Sequence, residues 1–249
     1  MSLYLNCFVS NNFKIINNLK NTENMKAHTQ ETQASISPEK ALLILKEGNA
    51  RFIENLTVDR DLLKQINQTR DGQWPFAAIL SCMDSRTSAE LVFDQGLGDV
   101  FSIRIAGNVV NTDILGSLEY ACKAAGSKLI VVLGHTKCGA VTGACKHVEL
   151  GNLTSLLSKL QPAIYDEKET KDPELRTGDN PEFVQNVANI NVRRSVKAVI
   201  ERSIVLEKLI RQGEIGIIGA MYDVEKGTVD FFDDTFVCSE KTLEKAFPA

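Results

Sequence analysis

Two short stretches hold the residues best suited to chemistry, Ser81-Cys82-Met83-Asp84-Ser85-Arg86 and Gly134-His135-Thr136-Lys137-Cys138-Gly139. Cys82, His135 and Cys138 make a Cys2His donor set. A zinc ion with three protein ligands keeps its fourth position for water, the arrangement of catalytic rather than structural sites. His135 and Cys138 have two residues between them, so one loop can present both to a single ion, and Cys82 closes the set from elsewhere in the chain. Two thiolates cancel the charge of Zn²⁺. They also donate more charge than imidazoles, so water on such a centre is less acidic than the pKa of about 7 found with three histidines. Activity is therefore expected to rise toward alkaline pH. Just past Cys82, Asp84 and Arg86 are spaced for a bidentate pair that fixes the carboxylate beside the metal.

Each signal is weak alone. A cysteine after a strand is usually a small buried hydrophobe, and Asp-x-Arg is usually a surface ion pair worth little. The specificity lies in the combination, C-x-D-x-R after one apolar run and G-H-x-x-C-G after another. Cys122 and Cys145 sit in helical patterns and are assigned to packing. Cys145-Lys146-His147 lacks two further ligands at structural-zinc spacing. His28 lies in a polar stretch and is expected in solvent. The 134–139 loop looks like a phosphate loop but has no Lys-Ser/Thr after its second glycine.

The apolar runs Phe76-Ala77-Ala78-Ile79-Leu80 and Lys128-Leu129-Ile130-Val131-Val132-Leu133 place both chemical stretches at the carboxyl ends of buried strands, the ligand-binding edge of an open α/β sheet. The expected strands are 76–81, 100–105, 128–133, 214–221 and 228–232, the last antiparallel after the turn Glu225-Lys226-Gly227. Ser37-Pro38-Glu39 opens a helix, whose apolar face is expected to break near Gly48. Further helices are expected over 87–95, from the capping pair Thr112-Asp113 to Gly126, and from Gly139 to about His147. Pro181 opens a long helix to about Gln212, and Ser239 caps a last one. Residues 151–180 read as one short helix plus an exposed loop. Strands alternating with helices predict an α/β fold, a mainly parallel central sheet of four strands plus an antiparallel edge strand, flanked by helices.

The 249 residues divide into a polar N-terminal arm over 1–36, helical in part and partly disordered, and one domain over 37–249. The net charge of −4 speaks against nucleic acid as a partner. No apolar run approaches the ~20 residues of a membrane helix, and no convincing signal peptide is present. Six irregularly spaced cysteines in a chain of this length favour free or metal-bound thiols in a reducing, cytoplasmic compartment.

At Cys82-Met83-Asp84-Ser85-Arg86, Arg104-Ile105-Ala106-Gly107-Asn108, Leu118-Glu119-Tyr120-Ala121 and Gly134-His135-Thr136-Lys137-Cys138-Gly139 the sequence resembles the β-class carbonic anhydrases, over about residues 37–247. The resemblance implies reversible hydration of CO2 to bicarbonate and a proton by hydroxide on zinc. It implies one Zn²⁺ per subunit on Cys82, His135 and Cys138, with the Asp84–Arg86 dyad beside it. It also implies a homodimer or an assembly of dimers with sites at the interface. Substrate contacts would come from Gln73, the backbone N–H of Gly139, and an aromatic lining of Phe101 and Tyr120 partly supplied by the neighbouring subunit. Members with an allosteric bicarbonate pocket carry a Trp three residues before the first cysteine ligand, with an Arg and a Tyr. Here that place is Ile79, although Arg104 and Tyr222 match the other two. An open, water-accessible metal without bicarbonate shut-off is expected. The competing readings are a COS or CS2 hydrolase on the same fold, and a non-catalytic zinc-stabilised interaction module with a closed site.

Overall fold

The computed structural model describes residues 27–246. Strands β1 (Ala77–Ser81), β2 (Val100–Arg104), β3 (Leu129–His135), β4 (Gly216–Tyr222) and β5 (Val229–Val237) form one sheet in the order β2-β1-β3-β4-β5. The first four are mutually parallel and β5 runs antiparallel to β4. β1, β3 and β4 are buried along their whole length, which is why their sequences are continuous apolar runs rather than alternating ones.

Alternate residues of β1 serve opposite layers. Ala78 and Leu80 pack in one core with helices α5 (Thr112–Glu119), α6 (Gly139–Cys145), α9 (Pro181–Arg202) and α10 (Ile204–Arg211). Ala77 and Ile79 pack in the other with α2 (Pro38–Ile53) and α4 (Ala89–Val92). The remaining helices are α1 (Gln30–Ala34), α3 (Leu62–Thr69), α7 (Gly151–Leu157), α8 (Gln161–Asp166) and α11 (Glu240–Ala246).

Several elements depart from the sequence expectation. α2 runs unbroken through Gly48, because the helix passes so close to the Phe93 carbonyl that any Cβ at 48 would overlap it. The helix expected over 181–212 is two helices. Ser203 leaves helical geometry (φ −124, ψ 100), accepts from the Leu206 N–H, and donates to Glu119 at 2.6 Å. Over 151–180 the helical part is longer than one short helix, two helices joined by a 3-10 turn across 151–166, and the expected exposed loop follows over 167–180. α5 is capped by Asn111, not Thr112, and continues as a π turn over Tyr120–Ala124. β5 extends to Val237, with an irregular register between Ile217 and Gly219.

Of the arm expected over 1–36, residues 1–26 lie outside the described residues. The rest is docked: Gln33 is buried and donates to the Pro75 and Ala125 carbonyls, both at 2.8 Å. His28 is half-buried with its ring edge on Phe76, not solvated as expected, because α1 brings it onto the sheet's amino-terminal edge.

Candidate metal centre

β1 and β3 lie side by side with Ser81 opposite Leu133, so the loops leaving their carboxyl ends start from neighbouring points. Cys82 is the first residue past β1, His135 is the last of β3, and Cys138 is the N-cap residue of α6. Between the last two, Lys137 takes a left-handed φ of 56°, which turns the chain back on itself. The Cys82 and Cys138 sulfurs end 4.0 Å apart. With a His135 ring nitrogen, the three donor atoms all lie within 4.8 Å of one another, and all three residues are buried. Two sulfurs at about 2.3 Å from a tetrahedral zinc stand roughly 3.8 Å apart, so the observed pair needs almost no adjustment.

The histidine is already set for metal. Its Nδ1 lies 2.9 Å from the Thr136 carbonyl, which can only accept, so Nδ1 carries the proton and Nε2 presents its lone pair. That Nε2 is buried and has no hydrogen-bond partner. A buried acceptor left bare is costly unless a cation meets it. The sulfurs give the same message. The hydrogen bond between them draws the Cys82 thiol down to about 4 and, with burial, pushes Cys138 far up. A dication between the two sulfurs would let both ionise. The contrast is Cys122, which burial alone pushes up to about 12, and Cys145, pushed to about 11. Both are packing residues, as expected. The donor set therefore fits zinc. Among the described residues no fourth Cys, His, Asp or Glu joins the cluster.

Beside the cluster, Asp84 is gripped by Arg86 through two parallel bonds, Nε to Oδ1 at 2.9 Å and an Nη to Oδ2 at 2.8 Å. The Arg86 backbone N–H adds a third at 3.0 Å. The Arg86 guanidinium holds the Asp84 carboxyl well below the usual carboxylate range. The loop that carries both is pinned from below. Thr87 donates from its hydroxyl, which reaches both the Cys82 carbonyl at 3.1 Å and the Asp84 carbonyl at 2.9 Å. Arg104 donates from Nε to the Cys82 carbonyl at 3.1 Å and from an Nη to the Asp84 carbonyl. In the sequence Arg104 stands out only through the family resemblance and Thr87 only through its nearness to the C-x-D-x-R stretch; neither signal points to this bracing of the loop. The Gly107 N–H donates to the Cys82 sulfur at 3.3 Å, a contact that no spacing rule could suggest.

The carbonic anhydrase family profile matches residues 77–229. Carbonic anhydrase 2 of Mycobacterium tuberculosis is 35% identical over 203 residues, covering 77% of this chain and 91% of that protein. The chain belongs to the β-class carbonic anhydrases. Two solved β-carbonic anhydrases are similar in fold. CafA of Aspergillus fumigatus has a TM-score of 0.60 and 27% identity, with 84% of this chain and 95% of that one covered. One of two enzymes from Sordaria macrospora has a TM-score of 0.57 and 27% identity, with 66% and 83% covered.

Relative to this β-carbonic anhydrase centre, the four expected substrate contacts fall in different places. Gly139 opens α6 with its face clear, since nothing lies within 4 Å of where a Cβ would be. The Ala140 and Val141 N–H groups of the first turn of α6 face the Cys138 sulfur. Phe101 and Tyr120 meet edge-to-face at 6.2 Å and line an open cavity of about 590 Å³ on the free side of β2. Phe101 is level with Ala78, roughly 13 Å along the strand from Cys82 at the usual rise per residue. Gln73 is exposed on the loop entering β1, at the opposite end of that strand from Cys82. One protomer therefore brings Cys82, His135, Cys138, Asp84, Arg86 and Gly139 together, but not Gln73, Phe101 or Tyr120.

Proposed function

We propose that the Cys82–His135–Cys138 centre catalyses the reversible hydration of CO2 to bicarbonate and a proton. The observation that carries this reading is the bare, buried Nε2 of His135 converging with two sulfurs beside a carboxylate already held by arginine. Zinc, when bound, supplies a Lewis acid that makes water a nucleophile near neutral pH.

The residues of the chain do the rest. Cys82 and Cys138 bind as thiolates and neutralise the cation, and the Thr136 carbonyl keeps His135 in the ligating tautomer. Asp84, ionised across the physiological range, accepts a hydrogen bond from the reacting water and aims its lone pairs at CO2. Arg86 occupies both carboxylate oxygens, so Asp84 is restrained from turning onto the metal. This supports the open form of the site. Ile79 supports it further: it is fully buried in the same apolar cluster as Tyr222, while Arg104 is committed to two backbone carbonyls. Little is left there to hold a regulatory bicarbonate. The backbone N–H of Gly139 is assigned in this reading to the substrate.

Gln73, Phe101 and Tyr120 complete the cleft from a second copy of the chain in this reading, each protomer lending its β2 face to the other's metal. A dimer, or an assembly of dimers, follows; the Sordaria macrospora relatives are tetrameric. Among the described residues no helix is long and apolar enough to cross a membrane. A reducing, cytoplasmic setting is proposed because two thiols 4.0 Å apart serve the metal only while reduced. The catalytic domain is proposed to span 37–249, with 1–36 as an appended arm.

The decisive experiment is stopped-flow CO2 hydration by the full chain as purified, after chelation, and after zinc is restored. Activity should vanish with the metal and return with it. Equal rates in metal-free and zinc-loaded protein would overturn the proposal. Turnover of CS2 above that of CO2 would move the substrate assignment.

A further inference from the structure

Gly107 sits in the turn after β2 with φ 66 and ψ 16, followed by Asn108 at a φ of 43°. Such a turn is easily rotated, because glycine has the widest backbone freedom of any residue. Yet its N–H must stay on the Cys82 sulfur. The anchor comes from across the fold. Asn191, 4% exposed on the sheet-facing side of α9, donates from Nδ2 to the Gly107 carbonyl at 2.9 Å. One turn later, Ser195 reaches the Asn108 carbonyl at a longer 3.4 Å.

We propose that Asn191 is a positioning residue for the metal centre: by fixing the Gly107 carbonyl it holds the Gly107 N–H on the Cys82 sulfur. That N–H withdraws charge from the thiolate, so the metal keeps more of its Lewis acidity, and it fixes where the sulfur points. Outer-layer hydrogen bonds of this kind are typically worth 10–100-fold in metal affinity. The inference rests on Cys82 being a ligand, as proposed above.

The test uses the full chain loaded with Co²⁺. The wild-type protein should show thiolate-to-cobalt charge-transfer absorption; without it, the Cys2His reading fails, and not this inference alone. Asn191→Leu fills nearly the same volume and removes the donor. It should shift that band to lower energy and weaken zinc binding about tenfold in a chelator competition. Ser195→Ala should leave the band in place. A folded Asn191→Leu protein with the wild-type band and wild-type affinity overturns the proposal. So does an equal shift in Ser195→Ala, which would signal general loosening. Should Asn191→Leu fail to fold, Asn191→Ala takes its place with the same two readouts, and a wild-type band with wild-type zinc affinity in that folded protein overturns the proposal.

Discussion

Two aspartate–arginine assemblies lie ten residues apart and are built for opposite ends. Asp84 pairs with Arg86, two residues away, on a loop at the open edge of the sheet, with the arginine side chain 49% exposed. Asp94 is 2% exposed and draws in Arg51 from α2 and Arg60 from the following segment. Asp94 also accepts from the Val58 N–H at 3.3 Å and takes a left-handed φ of 45° to do so. The first assembly is local, exposed and cheap to form. The second ties three stretches of chain together away from water. Ion-pair chemistry alone does not separate them; burial and the number of elements joined do. An exposed pair adds about 0–1 kcal/mol to stability, so the worth of Asp84–Arg86 lies in where it puts a carboxylate.

The largest effect should come from breaking the buried assembly. Asp94→Ala leaves two guanidinium groups without their anion, and losing one partner of a buried pair costs about 3–5 kcal/mol. Urea unfolding should show that loss, while turnover per folded, zinc-loaded molecule stays within about twofold. Asp84→Ala should do the reverse. Its unfolding free energy should change by no more than about 1 kcal/mol, zinc content should be full, and CO2 hydration should fall about 10²-fold through lost orientation of the reacting water. If both variants lose stability alike, or both lose turnover alike, the distinction is broken. Arg86→Lys is a finer probe. It keeps the charge but loses the planar fork. Turnover should drop about tenfold, the rate equivalent of one charged hydrogen bond of roughly 1.5 kcal/mol.

The same contrast explains what could be read from the sequence. The ligands and Asp84–Arg86 were legible because each lies within a few residues of a strand end, and buried parallel strands announce themselves as apolar runs. The Asp94 assembly was not, since its partners are 34 and 43 residues away. The break at Ser203 was hidden because apolar periodicity continues across it, and its cause is a hydrogen bond to Glu119, far back in the chain. Gly48 looked like a helix breaker, when it is the one residue small enough to pass the Phe93 carbonyl. Gln73, Phe101 and Tyr120 were named through the family resemblance, which carries no geometry. Their separation from Cys82 within one protomer follows only from the strand register.

The smallest expected effect is a pH dependence in the exposed pair. Arg86 holds the Asp84 carboxyl well below the ordinary range. A carboxylate with a depressed folded pKa stabilises the fold fully above its unfolded value of about 4, and that stabilisation is lost as pH falls from there through the folded value. Removing Arg86 removes the depression. Wild type and Arg86→Ala should therefore differ by a constant amount, below about 1 kcal/mol, from neutral pH down to about 5. The gap should then close as the solution is made more acid, read as urea midpoints at successive pH values. High salt should narrow the gap at neutral pH, because the pair is open to solvent, whereas the Asp94 assembly should be nearly indifferent to salt. A gap that widens on acidification would mean that some group other than Asp84 carries the linkage, and the contrast between the two assemblies would have to be redrawn around it.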